Sequence, residues 1–302
     1  MVTLAIFVIK TLQDFIIRGE MNMKYNAEIP RARYDKFGNR EWERLEKDRL
    51  GELLYHVHLD ILKRYISSSD QVIELGAGAG AGRFTKDIVN MSKSLVTSDL
   101  SPVQIEINKR KMEELGLVDK VQDFKILDIS NLEGIPDNTY DVAVCIGGPI
   151  NYLFDKEESA INEMLRVLKS QGKLILGSLS LVGALTYYLD GVIYEKGMFG
   201  IDATEWIFTT GIQDEEHYPV ENKHYVHMMT SKDLDALFQG KPVKILEKSS
   251  AGLFMHSQEE TLTRAKQDSE FWELLIRKEI EFTKLPGTLD CGMNIIYVVE
   301  KL

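Results

Sequence analysis

The chain has only two cysteines, Cys145 and Cys291, in 302 residues. Two are too few for a disulfide framework, and they lack the CxxC spacing of a zinc site or an iron–sulfur cluster. A reducing, cytoplasmic setting and no bound metal are the expectation. No apolar run is long enough to span a bilayer either. The most apolar stretch, residues 2–9, is followed by Lys10 and Asp14, well short of the roughly 20 residues a spanning helix needs. It also has no basic segment before it and no small-residue cleavage site after it, so no membrane partner is expected. Basic residues are in deficit, with 36 Lys and Arg against 47 Asp and Glu and a formal net charge of -11. That field repels a phosphate backbone, and no local basic cluster offsets it, so nucleic acid is not an expected partner. Internal repeats and low-complexity tracts are absent too.

What is present reads as an ordered globular protein: 44% hydrophobic and 27% charged residues are ordinary values for that class. Two readings stand for the N-terminus. Leu4, Phe7, Val8, Leu12, Phe15 and Ile16 recur at helical spacing, as in an amphipathic helix that packs on the domain or on a second subunit; alternatively, Met21 or Met23 is the native start. From residue 71 to about 180 short apolar runs at 72–75, 95–98, 121–127, 141–146 and 173–177 alternate with helical patterns at 83–89, 102–115 and 157–168. In the last of these Ile161, Met164, Leu165 and Leu168 share one face. Apolar strands alternating with helices imply an α/β fold with a Rossmann-like doubly wound sheet. Residues 34–65 predict helix, and residues 1–66 are assigned to an N-terminal helical lid region preceding a ligand-binding domain over 67–302. An aromatic-rich insertion over 185–229 carries Tyr187, Tyr188, Tyr194, Phe199, Trp206, Phe208, Tyr218 and Tyr225. It is expected to be buried as a cap spanning about 181–230. A helix at 231–238, a strand at 243–247, one long helix at 259–282 and a strand at 293–299 would return the chain to the sheet.

The glycine run follows the first strand: Glu74-Leu75-Gly76-Ala77-Gly78-Ala79-Gly80-Ala81-Gly82-Arg83. Glycines there permit positive φ and close approach by a ligand, and the following helix offers free N–H groups. Gly76-x-Gly78-x-x-Ala81 also fits the dinucleotide fingerprint, so a nicotinamide oxidoreductase stands as one alternative and a non-catalytic cofactor-binding module as another. The flanking carboxylates discriminate. Glu74 can face a cationic amino-acid moiety but would sit badly beside a pyrophosphate. Asp99 ends the second strand, where it can accept from two ribose hydroxyls, and Asp128 ends the third, where it can accept from an adenine amino group. An oxidoreductase would want a Tyr-x-x-x-Lys pair on one helix; Tyr152 and Lys156 have the spacing but fall in a predicted loop.

On Glu74–Gly80, Asp99, Asp128 and Tyr140-Asp141-Val142-Ala143-Val144-Cys145, the sequence resembles the class I S-adenosylmethionine-dependent methyltransferases. A looser likeness, through Ile146-Gly147-Gly148-Pro149-Ile150-Asn151-Tyr152, Glu41-Trp42-Glu43-Arg44-Leu45 and Leu289-Asp290-Cys291-Gly292, is to a bacterial and archaeal subgroup that acts on small molecules. The resemblance implies a mostly parallel sheet with an antiparallel last strand, S-adenosylmethionine as cofactor, S-adenosylhomocysteine as product, and a small molecule or small peptide as acceptor. The cofactor contacts it implies are Tyr34, Arg44, Glu74, Gly76, Ala77, Gly78, Gly80, Asp99, Leu100, Asp128, Ile129, Cys145 and Ile146. Tyr34 and Trp42 would close over the cofactor as lid residues, with Trp42 also a substrate contact, and Arg44 would pair with the cofactor's carboxylate or, alternatively, make a surface i,i+4 pair with Asp48. An Ala-Gly pair is duplicated relative to the usual loop, so either Gly76, Gly78 and Gly80 or Gly78, Gly80 and Gly82 make the turn; Glu74 favours the first set.

Methyl transfer is an in-line displacement that needs alignment and exclusion of water, and a base only where the acceptor must lose a proton. His224 and His227 are the base candidates, with a structural role as the alternative. Asn151 and Tyr152 are acceptor contacts or, alternatively, members of a rigid loop. His56 and His58 read as structural, and Asp214-Glu215-Glu216 as a solvated loop.

Overall fold

The computed structural model describes residues 23–43, 49–76, 80–221, 223–257 and 259–302. The N-terminal run at residues 2–16 lies outside them. Among the described residues three helices come first: α1 (Glu28–Phe37), α2 (Arg40–Glu43) and α3 (Arg49–Tyr65). Strand β1 (Gln71–Leu75), helix α4 (Thr85–Met91), strand β2 (Ser94–Asp99), helix α5 (Pro102–Glu114) and strand β3 (Val121–Ile126) follow. Next come β4 (Tyr140–Cys145), α6 (Glu157–Val167) and β5 (Leu168–Leu179). The strands assemble in the order β3-β2-β1-β4-β5 and are parallel throughout. Chain direction across the sheet reverses between β1 and β4, the topological switch point where open α/β sheets bind ligands beyond their strand C-termini.

Alternation along each strand sorts side chains to two helical layers. Val72, Val142, Val144, Ile146, Ile175, Ile296 and Val298 pack with Leu53, Val57, Ile61 and Leu62 of α3, Ile88 of α4 and Met112 of α5. Ile73, Leu75, Val96, Ala143, Leu174, Leu176 and Tyr297 face the opposite layer, with Ile161, Met164 and Leu165 of α6. At the start of β5, Gln171 has positive φ and the register slips between Tyr140 and Val142. The regular pairing of β5 with β4 therefore resumes at Lys173.

The cap and the closing strands complete the chain: α7 (Leu181–Tyr187), α8 (Leu189–Thr210), β6 (Ile212–Gln213), β7 (Val226–His227), α9 (Ser231–Phe238), β8 (Val243–Ala251), α10 (Glu259–Lys266), α11 (Ser269–Phe282) and β9 (Asn294–Lys301). Strand β9 runs antiparallel between β5 and β8, which makes the architecture a mostly parallel Rossmann-like sheet with an antiparallel last strand and a cap. Among the described residues no helix is long and apolar enough to cross a membrane.

Three expectations are corrected. The long helix at 259–282 is two helices, because the Asp268 side chain accepts from the backbone N–H of Phe271 at 3.0 Å and starts a second one; aspartate is a favoured N-cap. The cap is only partly buried: Tyr218 and Tyr225 are inside, whereas Tyr187, Tyr188, Tyr194 and Phe208 are exposed. Asp214 is not solvated; it is buried and accepts from both the backbone N–H and Nδ1 of His217 at 2.8 Å.

Candidate active site

Strand β1 delivers Glu74 and Gly76 to the switch point, and β4 delivers Gly147-Gly148-Pro149 beside them. Gly76 has φ +75°, and a Cβ on it would lie 2.7 Å from Pro149 Cγ, so only glycine lets the two strand ends approach this closely. The loop then turns again at Gly82, with φ +93°, where a Cβ would meet Asn108 Oδ1 at 2.3 Å. Gly80 also has positive φ and donates its N–H to Gly76 O at 3.2 Å. Both ends of the glycine run are thus conformationally required; Ala77 and Gly78 lie outside the described residues, as does Arg44.

Glu74 is fully buried. Its Oε2 accepts from Thr85 Oγ1 at 2.6 Å and Thr97 Oγ1 at 3.0 Å, and Asn108 Nδ2 donates to both of those hydroxyl oxygens. Its Oε1 has no hydrogen-bond partner among the described residues. Burial pushes its pKa up to about 7, with Asp87 and Asp99 adding to the effect. Asp99 at the end of β2 is 5% exposed and accepts from the Ser101 N–H at 2.8 Å. Burial lifts its pKa to about 7 as well, with Glu41 and Asp35 adding to the shift against the N–H groups of Ser101 and Gly80. Both carboxylates lie above their ordinary range because burial disfavours the charged form; Glu74 lines neither of the site's two cavities, whereas Asp99 lines the smaller one, where a ligand bearing hydroxyl groups would favour its charged form.

A small pocket beside Asp99 is lined by Gly76, Leu100, Asp128, Ile129, Tyr25 and Tyr34, among others. Asp128 Oδ2 accepts from the Tyr25 hydroxyl at 2.8 Å, and Oδ1 accepts from Ser130 N at 2.8 Å and Oγ at 2.7 Å. Cys145 and Ile146 are buried in the sheet; neither lines this pocket or the larger cavity next to it. Burial raises the Cys145 thiol to about 12, so it stays protonated.

The larger cavity, of about 580 Å³, runs from Ala81 and Arg83 after the glycine loop to the cap. Tyr34 on α1 and Tyr152 after β4 share a hydroxyl hydrogen bond of 2.9 Å, and the Tyr152 hydroxyl meets His224 Nε2 at 3.2 Å. Desolvation drives His224 down to about 4, with the charge of Arg33 adding to the effect, so its imidazole is neutral at physiological pH. The other base candidate lies elsewhere: His227 is buried, its Nδ1 lies 2.6 Å from Glu157 Oε1, and it is not among the residues lining the cavity. Asn151 lines the cavity, but its side chain is engaged by its own chain. Nδ2 donates to His227 O at 2.6 Å and Ser178 Oγ at 2.9 Å, and Oδ1 accepts from Leu179 N at 2.8 Å. Trp42 stands outside the lining, with Arg83, Lys86 and Lys111 ranged over its ring at 5.5, 5.9 and 5.4 Å. Tyr152 and Lys156 fall in separate turns before α6, not on one helix face as a hydride-handling pair would require.

Sequence reasoning missed Arg33, Glu195 and Gln213 as lining residues, and took His58 as purely structural although it lines the cavity too. For Arg33 a signal existed: Pro30, Arg33, Tyr34 and Phe37 fall on one helical stripe. For Glu195 none did, since only the fold of α8 turns it inward. No group of His, Cys, Asp and Glu among the described residues could hold a metal ion.

Residues 72–172 match the family model described as a methyltransferase domain. An uncharacterised protein of Methanocaldococcus jannaschii is 29% identical over 129 residues, which is 41% of this chain and 48% of that protein; the match thus spans about half the length of this curated relative. Among solved structures, a Methanosarcina mazei protein described as an S-adenosylmethionine-dependent methyltransferase superposes with a TM-score of 0.50 at 17% identity, covering 80% of this chain and 97% of that one. The cyclase SpnF superposes with a TM-score of 0.52 at 17% identity, covering 82% and 81%. The chain therefore carries a methyltransferase-like fold, and at these identities the likeness speaks for the fold alone.

Proposed function

We propose that this chain is an S-adenosylmethionine-dependent methyltransferase that transfers a methyl group to an N, O or S atom of a small molecule or small modified peptide by in-line displacement. The observation that carries the reading is the pair of buried carboxylates, Glu74 and Asp99, at the ends of adjacent strands beside a glycine-required switch-point cleft. That cleft adjoins a cavity whose wall holds a neutral histidine on a tyrosine hydroxyl. When bound, the cofactor supplies an electrophilic methyl carbon. Asp99 would accept from its ribose hydroxyls, Glu74 would set a negative potential for its amino group, and Leu100, Ile129 and Asp128 would hold its adenine. Tyr34 would close the cleft from α1.

On the acceptor side, the Tyr152 hydroxyl and His224 Nε2 form a short relay able to take a proton from an acceptor N–H or O–H. Asn151 fixes the loop that carries Tyr152. Residues 1–66 would act as the lid region and about 181–230 as the cap. Incubating the protein with methyl-labelled S-adenosylmethionine and a metabolite extract, then finding the labelled species by mass spectrometry, tests the reading. A labelled small molecule is expected; cofactor binding with no label transferred to any extract component would reject methyl transfer in favour of other chemistry on this fold.

A further inference from the structure

We infer that the acceptor carries a carboxylate and that Arg33 is the residue that clamps it, an assignment that rests on reading the cavity as a methyltransferase's acceptor site. Arg33 lines the large cavity from α1. Two residues before it, Arg31 is satisfied by Glu28 at 3.3 Å, and across the cavity Arg83 lies over the rings of Tyr55 at 4.7 Å and Trp42 at 5.5 Å. Arg33 is different: it has no hydrogen bond or ion pair with any described residue. A partly buried guanidinium aimed into a cavity without a counter-ion is a fork waiting for a planar anion, and carboxylate matches its two parallel N–H groups.

Its position defines which anion. Arg33 adjoins Tyr34 in sequence and its charge reaches His224, so it stands at the relay formed by Tyr34, Tyr152 and His224. The lining carries two carboxylates: Glu41, which is buried on α2, and Glu195 at the cap end, which accepts from Gln213 Nε2 at 3.2 Å. Between the two ends the lining is largely apolar, including Leu179, Leu185, Val192, Val226 and Met228. An acidic acceptor would place its carboxylate on Arg33 and its apolar body along those side chains, away from Glu195. A nucleophilic atom close to that carboxylate in the acceptor would then lie near the Tyr152 hydroxyl. The carboxylate is bound rather than methylated, so the product keeps its negative charge.

The test uses wild type and Arg33→Gln, with and without saturating S-adenosylhomocysteine. Titration calorimetry would be run against three acids, 4-hydroxybenzoate, 4-hydroxyphenylacetate and hexanoate, each paired with its primary amide. At least one acid should bind wild type about tenfold or more tighter than its amide, the scale of one lost charged hydrogen bond. Arg33→Gln should erase that preference, Arg33→Lys should restore part of it, and S-adenosylhomocysteine affinity should not change in either variant. Labelled product from the metabolite extract should be retained on an anion exchanger at neutral pH.

The inference is overturned if no acid outranks its amide. It is equally overturned if Arg33→Gln weakens S-adenosylhomocysteine while leaving the discrimination intact, because Arg33 would then hold the cofactor's own carboxylate. A wild-type preference for acids that depends on Arg33, found without any methyl transfer, would instead reject the methyltransferase reading and keep the clamp.

Discussion

The two walls of the cleft are built on different principles. The wall formed by β1, β2 and the glycine loop is dense with internal bonds: Glu74, Thr85, Thr97 and Asn108 form one buried network, and Gly76 packs its backbone against Pro149. The opposite wall, from α1, α7 and α8, is looser. Arg33 has no hydrogen bond or ion pair with any described residue, and α7 and α8 leave Tyr187, Tyr188, Ile193, Tyr194 and Ile201 exposed. The first wall is a preorganised mould for a ligand of fixed shape, where a Cβ added at Gly76 or Gly82 collides. The second is where acceptor specificity can vary without disturbing the sheet.

The contrast is broken most strongly at the relay. His224→Gln and Tyr152→Phe should lower turnover by roughly 10²–10⁴-fold, the usual contribution of general acid–base catalysis, while cofactor affinity stays within about twofold. His227→Gln should do the reverse. It leaves Glu157 buried without the imidazole 2.6 Å away, a loss of roughly 1–3 kcal/mol, so the melting temperature falls and the cofactor-saturated enzyme keeps its turnover. Equal turnover losses in the two histidine variants would erase the distinction between them.

Substitutions in the mould act on binding instead. Gly76→Ala places a Cβ 2.7 Å from Pro149 at φ +75°; strain of about 1–3 kcal/mol should reduce cofactor affinity by roughly 10–100-fold and lower the melting temperature. Asp99→Ala should weaken the cofactor at least about tenfold, since each lost charged hydrogen bond is worth roughly 1.5–3 kcal/mol. Asp99→Asn should be milder, because the amide keeps one acceptor. Isothermal titration beside circular dichroism separates these outcomes from unfolding.

The last effect is on stability alone and appears as a pH dependence. Asp99 and Glu74 have folded-state pKa values of about 7, above those of the unfolded chain, so between about pH 4 and 7 the folded state binds more protons. Their burial therefore costs stability increasingly as pH rises through that window, and no further above it. Asp99→Asn should show no stability advantage in the ligand-free protein near pH 4 and a growing one up to about pH 7. Denaturant titrations across that range measure it, and a constant difference would mean that Asp99 ionises normally in the folded protein.

Legibility in the sequence followed the same division. The strands and glycine run of the first wall were readable because short apolar runs and a glycine cluster are local signals, and Asp99 and Asp128 fall at or just past strand ends. The break at Asp268 was missed because one capping aspartate inside a helical pattern is a weak signal against 24 periodic residues. The two histidines at 224 and 227 were indistinguishable until β7 directed His227 to Glu157 and left His224 on Tyr152. Glu195 was hidden for a related reason: which face of α8 meets the cavity depends on packing among α7, α8 and β6, and the exposed aromatics of the cap blur the amphipathic pattern that would reveal it.

The central claim is that the mould is cut for S-adenosylmethionine and not for a dinucleotide. Titration calorimetry of the wild-type protein with S-adenosylhomocysteine and, separately, with NAD tests it most directly. Saturable one-to-one binding of S-adenosylhomocysteine, a rise in melting temperature with it by mass action, and no response to NAD are the predicted result. Binding of NAD with none of S-adenosylhomocysteine would contradict the account.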